Sequence, residues 1–340
     1  MNYENLFLGL PDGILKKIKK EAQPKFISPM LATLTTDYFS SKDWLYEHKF
    51  DGVRCLAFKK NGTVRLLSRN NKLMNESYPE IVIALSKQSA DNFVIDGEII
   101  SRNDAGVSDF QILQARMNVR NKTMLSIIEE TIPIYYCIFD LLHGGGYNTR
   151  TIPLYVRKKL LKKLLKFNKT LIYTNHSRGN GIALFKKACN LGWEGVIAKR
   201  IDSEYIGMRS RDWLKFKCSS GQELVIGGYT DPQGLRKHFG ALLVGYYDNN
   251  ELKYAGKVGT GYSQEVITTL GKKLQKLEIK KCSFSNYDGS TKGVHWVKPI
   301  LVAEFEFAQW TKGGKLRVGR YKGLRMDKKA KEVVKEVPKK

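Results

Sequence analysis

Short runs of alternating apolar and polar residues fill most of the first two thirds of the chain. The segment "GVRCLAFKKNGTVRLLSRN" carries β-rich runs on both sides of Asn61-Gly62, a pair suited to a tight two-residue turn, and it predicts a hairpin. "FVIDGEII", "IPIYYCIFDLL", "EGVIAKR" and "DWLKFKC" read as further strands. "LYVRKKLLKKLLKFN" has helical periodicity with a heavily basic face, and "ALFKKACNLG" repeats that period more weakly. The stretch "PDGILKKIKKEA" near the start stands outside the strand pattern. Without regular βαβ alternation, the fold class expected is antiparallel α+β rather than a doubly wound sheet.

A second pattern begins after the small residues Ser219, Ser220 and Gly221. There "ELVIGGYT", "ALLVGYYDNNELKYAGKVG", a helix opened by Ser263, "ILVAEFEFAQWT" and "KLRVGRYKGL" give three strands, a helix and two more strands. That order is the one expected of a small OB-type β-barrel, a fold that commonly binds nucleic acid. The organisation expected is a short N-terminal segment over 1–25, an α+β domain over 26–220 and an OB-fold domain over 221–340. The last of these ends in a charged tail, "DKKAKEVVKEVPKK", either helical or frayed.

Composition sharpens the functional class. Hydrophobic residues make up 42% and charged residues 27% of 340 positions, which excludes a disordered chain. Lysine and arginine number 58 against 33 acidic residues, a formal charge of +25, and this surplus calls for a polyanionic partner. Nucleic acid is favoured over a membrane surface because no long basic amphipathic helix has an aromatic face. No stretch is long enough to span a bilayer, and the start, with Glu4 ahead of its apolar run, does not read as a secretory leader. The five cysteines are scattered singly, which argues against a disulfide framework or a zinc site and suits a reducing, cytoplasmic setting.

Phosphate-binding loops are missing. Neither G-x-x-x-x-G-K-[ST] nor G-x-G-x-x-G occurs at a strand-to-helix turn, and "HGGGY" at 143–147 leads to no clear helix. Any nucleotide would therefore be held by side chains. Lys215 and Lys217 alternate in "WLKFK" and point to one strand face, where they repel each other unless an anion lies between them. Lys199 ends "EGVIAK". Taken alone, these lysines read as a solvated strand face. Lys49 is different, because it sits among apolar residues in "WLYEHKFDGVRCLAF". Cations beside it would disfavour its charged form and make its amine a usable nucleophile. Asp51 and Arg54, across a turn that Gly52 permits, are placed to orient it and a ribose or phosphate. Glu98 in "VIDGEII" and Glu194 opening "EGVIAK" offer hard oxygen ligands for Mg²⁺, or serve as plain surface partners of lysine. Phe139 and Trp213 offer a base-stacking platform, or ordinary core packing.

These residues fall in a recognisable order. "KFDGVR" resembles the K-x-D-G-x-R signature of the covalent nucleotidyltransferases, and "SRN", "DGEI", "IFDLL", "EGVIAK", "WLKFK" and "GLRMDK" follow as that superfamily's blocks do. "VIGGYTDPQGLRKHFGALLVGYY" and "YAGKVGTG" are similar to the ligase module of bacterial end-joining DNA ligases of the LigD type. The resemblance covers nearly the whole chain, which looks like that module alone. It implies a nucleotidyltransferase (adenylation) domain before the OB barrel and an ATP-dependent DNA ligase used in repair.

By that resemblance Lys49 attacks the α-phosphate of ATP and becomes a lysyl-AMP. Glu47 reads the adenine amine, Phe139 stacks on the base and Trp213 closes its other side. Arg54, Arg69 and Glu98 surround the ribose and the DNA end, Glu98 and Glu194 bind metal, and Lys199, Lys215 and Lys217 grip phosphates. Arg325, Asp327 and Lys328 orient the pyrophosphate. The cofactor set implied is ATP with Mg²⁺, for which Mn²⁺ can substitute. The partner implied is nicked or broken duplex DNA, with a Ku-type end-binding protein as recruiter, no membrane, and a monomeric enzyme. No helical DNA-binding domain precedes the core, so the basic helix over 156–167 and the barrel surface are expected to help hold DNA. An NAD-dependent ligase would carry a four-cysteine zinc module, which this chain lacks. An RNA ligase or a capping guanylyltransferase shares the lysine chemistry and remains the alternative, followed by a non-catalytic nucleic-acid-binding relative.

Overall fold

The computed structural model describes residues 4–117, 131–232, 234, 236–311 and 313–337. Two compact units divide the chain, Met1–Cys218 and Ser219–Val337. In the first unit, the larger sheet runs in the order β1 (Lys19–Lys20), β8 (Tyr147–Asn148), β7 (Ile134–Gly144), β6 (Phe93–Ser101), β4 (Val53–Lys60) and β5 (Thr63–Ser68), with β9 (Leu171–Tyr173) also on β7. The smaller sheet runs β10 (His176–Arg178), β3 (Trp44–Lys49), β11 (Gly195–Arg200), β12 (Arg209–Lys217) and β2 (Leu31–Leu34). Among the described residues of this unit the pairings are antiparallel except β12 with β2 and β7 with β9.

Three apolar layers hold the two sheets. Val53, Cys55, Ala57, Ile95 and Ile138 cover one face of the larger sheet, under α1 (Glu4–Phe7), α3 (Pro79–Ser86) and α5 (Leu154–Leu164). Leu56, Phe58, Val94 and Phe139 on its other face meet Trp213 of the smaller sheet. The far face of the smaller sheet, with Tyr46, Val196, Ala198 and Phe216, packs against α6 (Gly181–Asn190). Successive strand residues thus alternate between layers, as period-two pleating requires. Two further helices, α2 (Asp12–Leu15) and α4 (Phe110–Met117), complete the described helices of this unit.

The Asn61-Gly62 hairpin forms as expected. Both residues take positive φ, 50° and 74°, between Lys60 and Thr63, which pair in register. "HGGGY" forms a second tight hairpin, with Gly145 and Gly146 at positive φ between paired Gly144 and Tyr147. The stretch "PDGILKKIKKEA" gives only the one-turn α2 and the two-residue β1.

The basic helix needs a correction. It ends at Leu164, and two of its cations point inward rather than toward a partner. Lys159, Lys162, Lys163 and Lys166 stay exposed. Arg157 grips Asp140 with two hydrogen bonds, Nε to Oδ1 at 2.7 Å and Nη2 to Oδ2 at 2.9 Å, and both side chains are fully buried. Its Nη1 donates to the carbonyls of Ile152 at 2.6 Å and Ser203 at 2.8 Å. The reason is helical phase. Arg157 and Lys158 share the stripe of Leu154, Leu161 and Leu164, which faces the core.

The cysteines also depart from expectation. Cys189, in the last turn of α6, forms a disulfide with Cys218, just beyond β12, with Cα atoms 5.2 Å apart. Their separation of 29 positions hid the pairing, which arises because β11 brings the end of α6 beside the end of β12. Cys55 and Cys137 remain buried free thiols, and Cys282 a partly buried one.

In the second unit a curled sheet runs β15 (Glu251–Val258), β14 (Leu242–Asp248), β13 (Gly221–Thr230), β17 (Val294–Glu306) and β16 (Glu278–Ile279), with β20 (Arg320–Leu324) also on β17. β18 (Gln309–Trp310) and β19 (Leu316–Arg317) form a small separate ribbon. Ser263 caps α7 (Gln264–Gln275) by accepting from the Val266 N–H at 3.2 Å. Ile267, Leu270 and Leu274 of that helix close the core formed by Leu224, Ile226, Val244 and Phe305. This is the half-barrel of an OB-type domain. The charged end forms a short 3₁₀ turn over Ala330–Glu332, and its last residues, 338–340, lie outside the described set.

The Arg157–Asp140 pair carries a clear expectation. Replacing Arg157 by Ala strands a buried carboxylate and should cost about 3–5 kcal/mol. A urea unfolding curve measures this, and a shift below about 1 kcal/mol would mean that the pair does not anchor α5.

Candidate active site

One face of the smaller sheet gathers the candidate residues. In β3 the alternate positions Glu47 and Lys49 share a face, opposite Tyr46 and His48. Gly195 of β11 stands in register with Lys49 on one side and Lys217 of β12 on the other. Lys215 and Glu47 both pair with Ile197, and Lys199 lies opposite Trp213. The strand period therefore brings Glu47, Lys49, Lys199, Trp213, Lys215 and Lys217 onto a single surface. Gly195 lets these strands meet: its φ is +150°, and a Cβ there would lie 1.9 Å from the Phe216 carbonyl oxygen.

Two carboxylates divide the cations among them. Glu194 accepts a short hydrogen bond from the Lys49 ammonium and lies 3.7 Å from Lys217 Nζ. Glu47 is buried and accepts a short hydrogen bond from Lys158 of α5. Lys199 Nζ approaches its other oxygen at 2.6 Å but finds no hydrogen-bonding geometry. Burial pushes the Glu47 carboxyl up, yet the Lys158 and Lys199 ammoniums outweigh it and hold it below the usual carboxylate range. Lys199 lies 4.1 Å from the centroids of both Phe139 and Trp213. Burial, opposed by Glu47 and reinforced by Lys158, lowers its pKa to about 8.

The larger sheet supplies the facing wall. Arg54 of β4 pairs in register with Glu98 of β6. Its guanidinium makes a bidentate bond to Asp96, 2.6 Å on each arm, and lies 4.8 Å from the Phe139 centroid. Burial opposes the Arg54 charge, but Asp96 dominates and raises its pKa above the usual value. Asp96 also accepts from the Tyr205 hydroxyl at 2.7 Å. Phe139 and Trp213 are buried and meet edge-on at 80° with centroids 6.0 Å apart, so they do not form two parallel walls.

The remaining expected residues have partners of their own. Asp51 Oδ2 accepts from the Phe110 N–H at 3.4 Å, at the start of α4, and its own N–H donates to Ser108 Oγ at 3.1 Å. Gly52 is needed for close packing rather than for a turn, since a Cβ would lie 2.3 Å from the Ile99 carbonyl oxygen. Arg69 lies in the turn after β5. His48, on the opposite sheet face, stacks on Trp193 at 3.7 Å, and burial pushes its pKa down to about 4. In the second unit, Arg325 donates to Asp327 at 3.0 Å and 3.1 Å, and Lys328 pairs with Glu223 at 2.8 Å.

Asp96, Lys158 and Tyr205 were not among the sequence candidates. Asp96 sits inside the quoted "VIDGEII", and Lys158 could have been found from its place on the apolar stripe of a basic helix. Tyr205 has no comparable signal. Among the described residues no three of His, Cys, Asp and Glu converge as a metal cage. Of the two carboxylates expected to hold metal, Glu98 stands opposite Arg54 on the larger sheet and Glu194 lies against Lys49 beside the smaller one; each offers the hard oxygen that Mg²⁺ takes, the rest of its shell coming from water and phosphates. A nucleotide fits the electrostatics better still, since the buried Lys199 ammonium shares the single Glu47 carboxylate with Lys158 and stands on one sheet face with Lys215 and Lys217.

The ammonium of Lys199 makes a measurable signature. Below pH 8 folding bears the full cost of burying this charge. Between about 8 and 10.5 the folded protein has lost the proton that the unfolded chain keeps, so stability rises with pH. Lys199→Met should remove that rise, on the order of 3 kcal/mol in the difference between the two proteins' unfolding free energies. Parallel slopes for both would refute the buried charge.

Comparison with known proteins follows the same outline. A model of the ATP dependent DNA ligase domain matches residues 29–217, and a model of the ATP dependent DNA ligase C terminal region matches residues 235–328. The multifunctional non-homologous end joining protein LigD of Pseudomonas aeruginosa is 36% identical over 333 residues, which is 94% of this chain and 38% of that protein. The LigD DNA repair protein of Mycobacterium tuberculosis is 36% identical over 316 residues, 91% of this chain and 40% of its own. The chain thus spans about two fifths of these relatives. A solved structure of mycobacterial DNA ligase D complexed with ATP and MES superposes with a TM-score of 0.63 at 33% identity, covering 92% of this chain and 99% of that one.

Proposed function

Because this chain belongs to the ATP-dependent DNA ligase family, we propose that it seals 5′-phosphate/3′-hydroxyl breaks in duplex DNA at the expense of ATP. The observation that carries this reading is the contact of Lys49 with Glu194 on a sheet face shared with Lys199, Lys215 and Lys217. In the first step the Lys49 amine gives up its proton, for which Glu194 is the adjoining acceptor, and attacks the α-phosphorus of ATP. A nitrogen–phosphorus bond forms, the bond to the bridging oxygen breaks, and pyrophosphate leaves. A 5′-phosphate oxygen of DNA then attacks the lysyl-AMP and returns Lys49 as an amine. Finally the 3′-hydroxyl attacks the activated 5′-phosphorus and AMP departs. Such steps need positioning and charge stabilisation more than covalent chemistry from the protein.

Glu47 and Phe139 are assigned to the base, and Arg54, Arg69 and Glu98 to the ribose and DNA end. Trp213, which meets Phe139 edge-on, is assigned to the border of the base site. Lys199, Lys215 and Lys217 are assigned to the phosphates, and Arg325, Asp327 and Lys328 to the pyrophosphate. Asp51 positions the segment beyond Lys49 through its contact with α4. Mg²⁺ held by Glu194 and Glu98 would neutralise phosphate charge. End joining is the repair setting we infer from the relatives, with a Ku-type protein as recruiter of a monomeric ligase acting in the cytoplasm. The C-terminal match favours DNA over the RNA-ligase and capping alternatives.

Incubation with α-labelled ATP or GTP and divalent metal, followed by a denaturing gel and a chase with nicked DNA, tests the whole scheme. Label from ATP should become covalent and leave as the nick closes. Lys49→Ala should take no label, and Lys217→Ala should slow labelling by about 10²–10³-fold. Covalent AMP on Lys49→Ala protein would overturn the assignment. Label from GTP alone would make the chain a capping-type enzyme.

A further inference from the structure

The Lys158 ammonium is spent on the two residues assigned to the base. It hydrogen-bonds Glu47 and donates to the Phe139 carbonyl at 3.4 Å and the Thr174 carbonyl at 3.1 Å, so its three protons have three acceptors. The side chain is 2% exposed, and its nitrogen lies 4.9 Å from the Tyr173 ring centroid. Its neighbour Arg157 is locked to Asp140 of β7, the strand that carries Phe139. Lys158 therefore arrives at Glu47 from a fixed helix, whereas Lys199 reaches the second oxygen off the bonding direction.

We propose that Lys158 is a positioning residue that selects the nucleotide base, by keeping Glu47 an oriented, acceptor-only carboxylate. This rests on the ATP reading above. The six-position of adenine carries an amine, a donor, and that of guanine a carbonyl, an acceptor. An ionised carboxylate accepts only, so it bonds the first and repels the second. A protonated Glu47 would donate to the guanine carbonyl instead. The groups facing Glu47 are Lys158 from α5, Lys199 from β11, His176 from β10 and Tyr173 from β9, and Asp140 of β7 acts on Lys199 and Tyr173 beside them. Asp140 is neutralised by Arg157, and burial pushes His176 below its ordinary pKa toward the neutral form. Lys199 is assigned to the phosphates once a nucleotide is bound. Lys158 is then the cation left to oppose the burial that drives Glu47 toward protonation.

The test compares self-labelling from α-labelled ATP and GTP, as ratios of kcat/KM, for wild type, Lys158→Met, Lys158→Gln, Glu47→Gln and the double variant Lys158→Met/Glu47→Gln. Both Lys158 variants should lower the ATP-over-GTP ratio by about 10–100-fold, with the loss larger at pH 6 than at pH 8. Lys158→Gln, which keeps a donor without the charge, covers the case in which Lys158→Met fails to fold. In the Glu47→Gln background the second change should leave the ratio unmoved, because Lys158 acts through Glu47. Equal losses of ATP and GTP labelling at every pH, or a further drop in the double variant's ratio, would overturn the proposal. Failure of the wild type to label from ATP would instead overturn the ligase reading itself.

Discussion

Two carboxylates hold together a sheet face crowded with lysines. Glu194 lies against Lys49 and Lys217, and Glu47 lies between Lys158 and Lys199. Around Glu47 the two nearly buried ammoniums of Lys158 and Lys199 share one carboxylate, and Lys215 stands on the same face. Burying an ammonium costs several kcal/mol unless an anion offsets it. The remaining imbalance is a standing potential directed at polyanions, and it costs little reorganisation when one arrives. Under the ligase reading proposed above, a triphosphate would supply the charge that two carboxylates do not.

The rest of the unit keeps that unfavourable face intact. Tyr46, Val196, Ala198 and Phe216 bury the back of the same strands against α6, so the apolar side anchors what the charged side strains. Gly195 lets the central strand approach Phe216 closely enough to set Lys49 and Lys217 on one rung. Across the cleft, Asp96 absorbs the Arg54 charge and Tyr205 completes its hydrogen bonding. Each charged residue of the site is thus held by an apolar layer behind it or a carboxylate beside it.

Much of this was legible in the sequence because it is local. The alternation of Lys215 and Lys217, the Asn61-Gly62 turn and the Ser263 cap each depend on residues within a few positions, and each is seen in the structure. The antiparallel α+β core and the barrel order follow from the same periodicities. What escaped depends on distance along the chain. Glu47 and Lys158 are separated by 111 residues, Arg54 and Asp96 by 42, and the disulfide partners by 29. No local pattern announces such pairs. For Arg157 and Lys158 the helical phase alone gave a hint, since a charge on an apolar stripe must have a buried partner.

That helix also shows why fold and site cannot be separated here. Arg157 and Lys158 are neighbours, one bound to Asp140 beneath Phe139 and the other to Glu47. Holding α5 to β7 places both ammonium and guanidinium at once, so the packing that stabilises the domain also places the cation beside Glu47, the carboxylate proposed to face the base. An apolar pair at 140 and 157 could pack as tightly, and replacing buried ion pairs in this way is often neutral or stabilising. It would not supply the directional bonds to Asp140, which register α5 against β7, nor those to the Ile152 and Ser203 carbonyls in the flanking turns. The buried pair is best understood as a register device, whose consequence is felt one residue later, at Lys158.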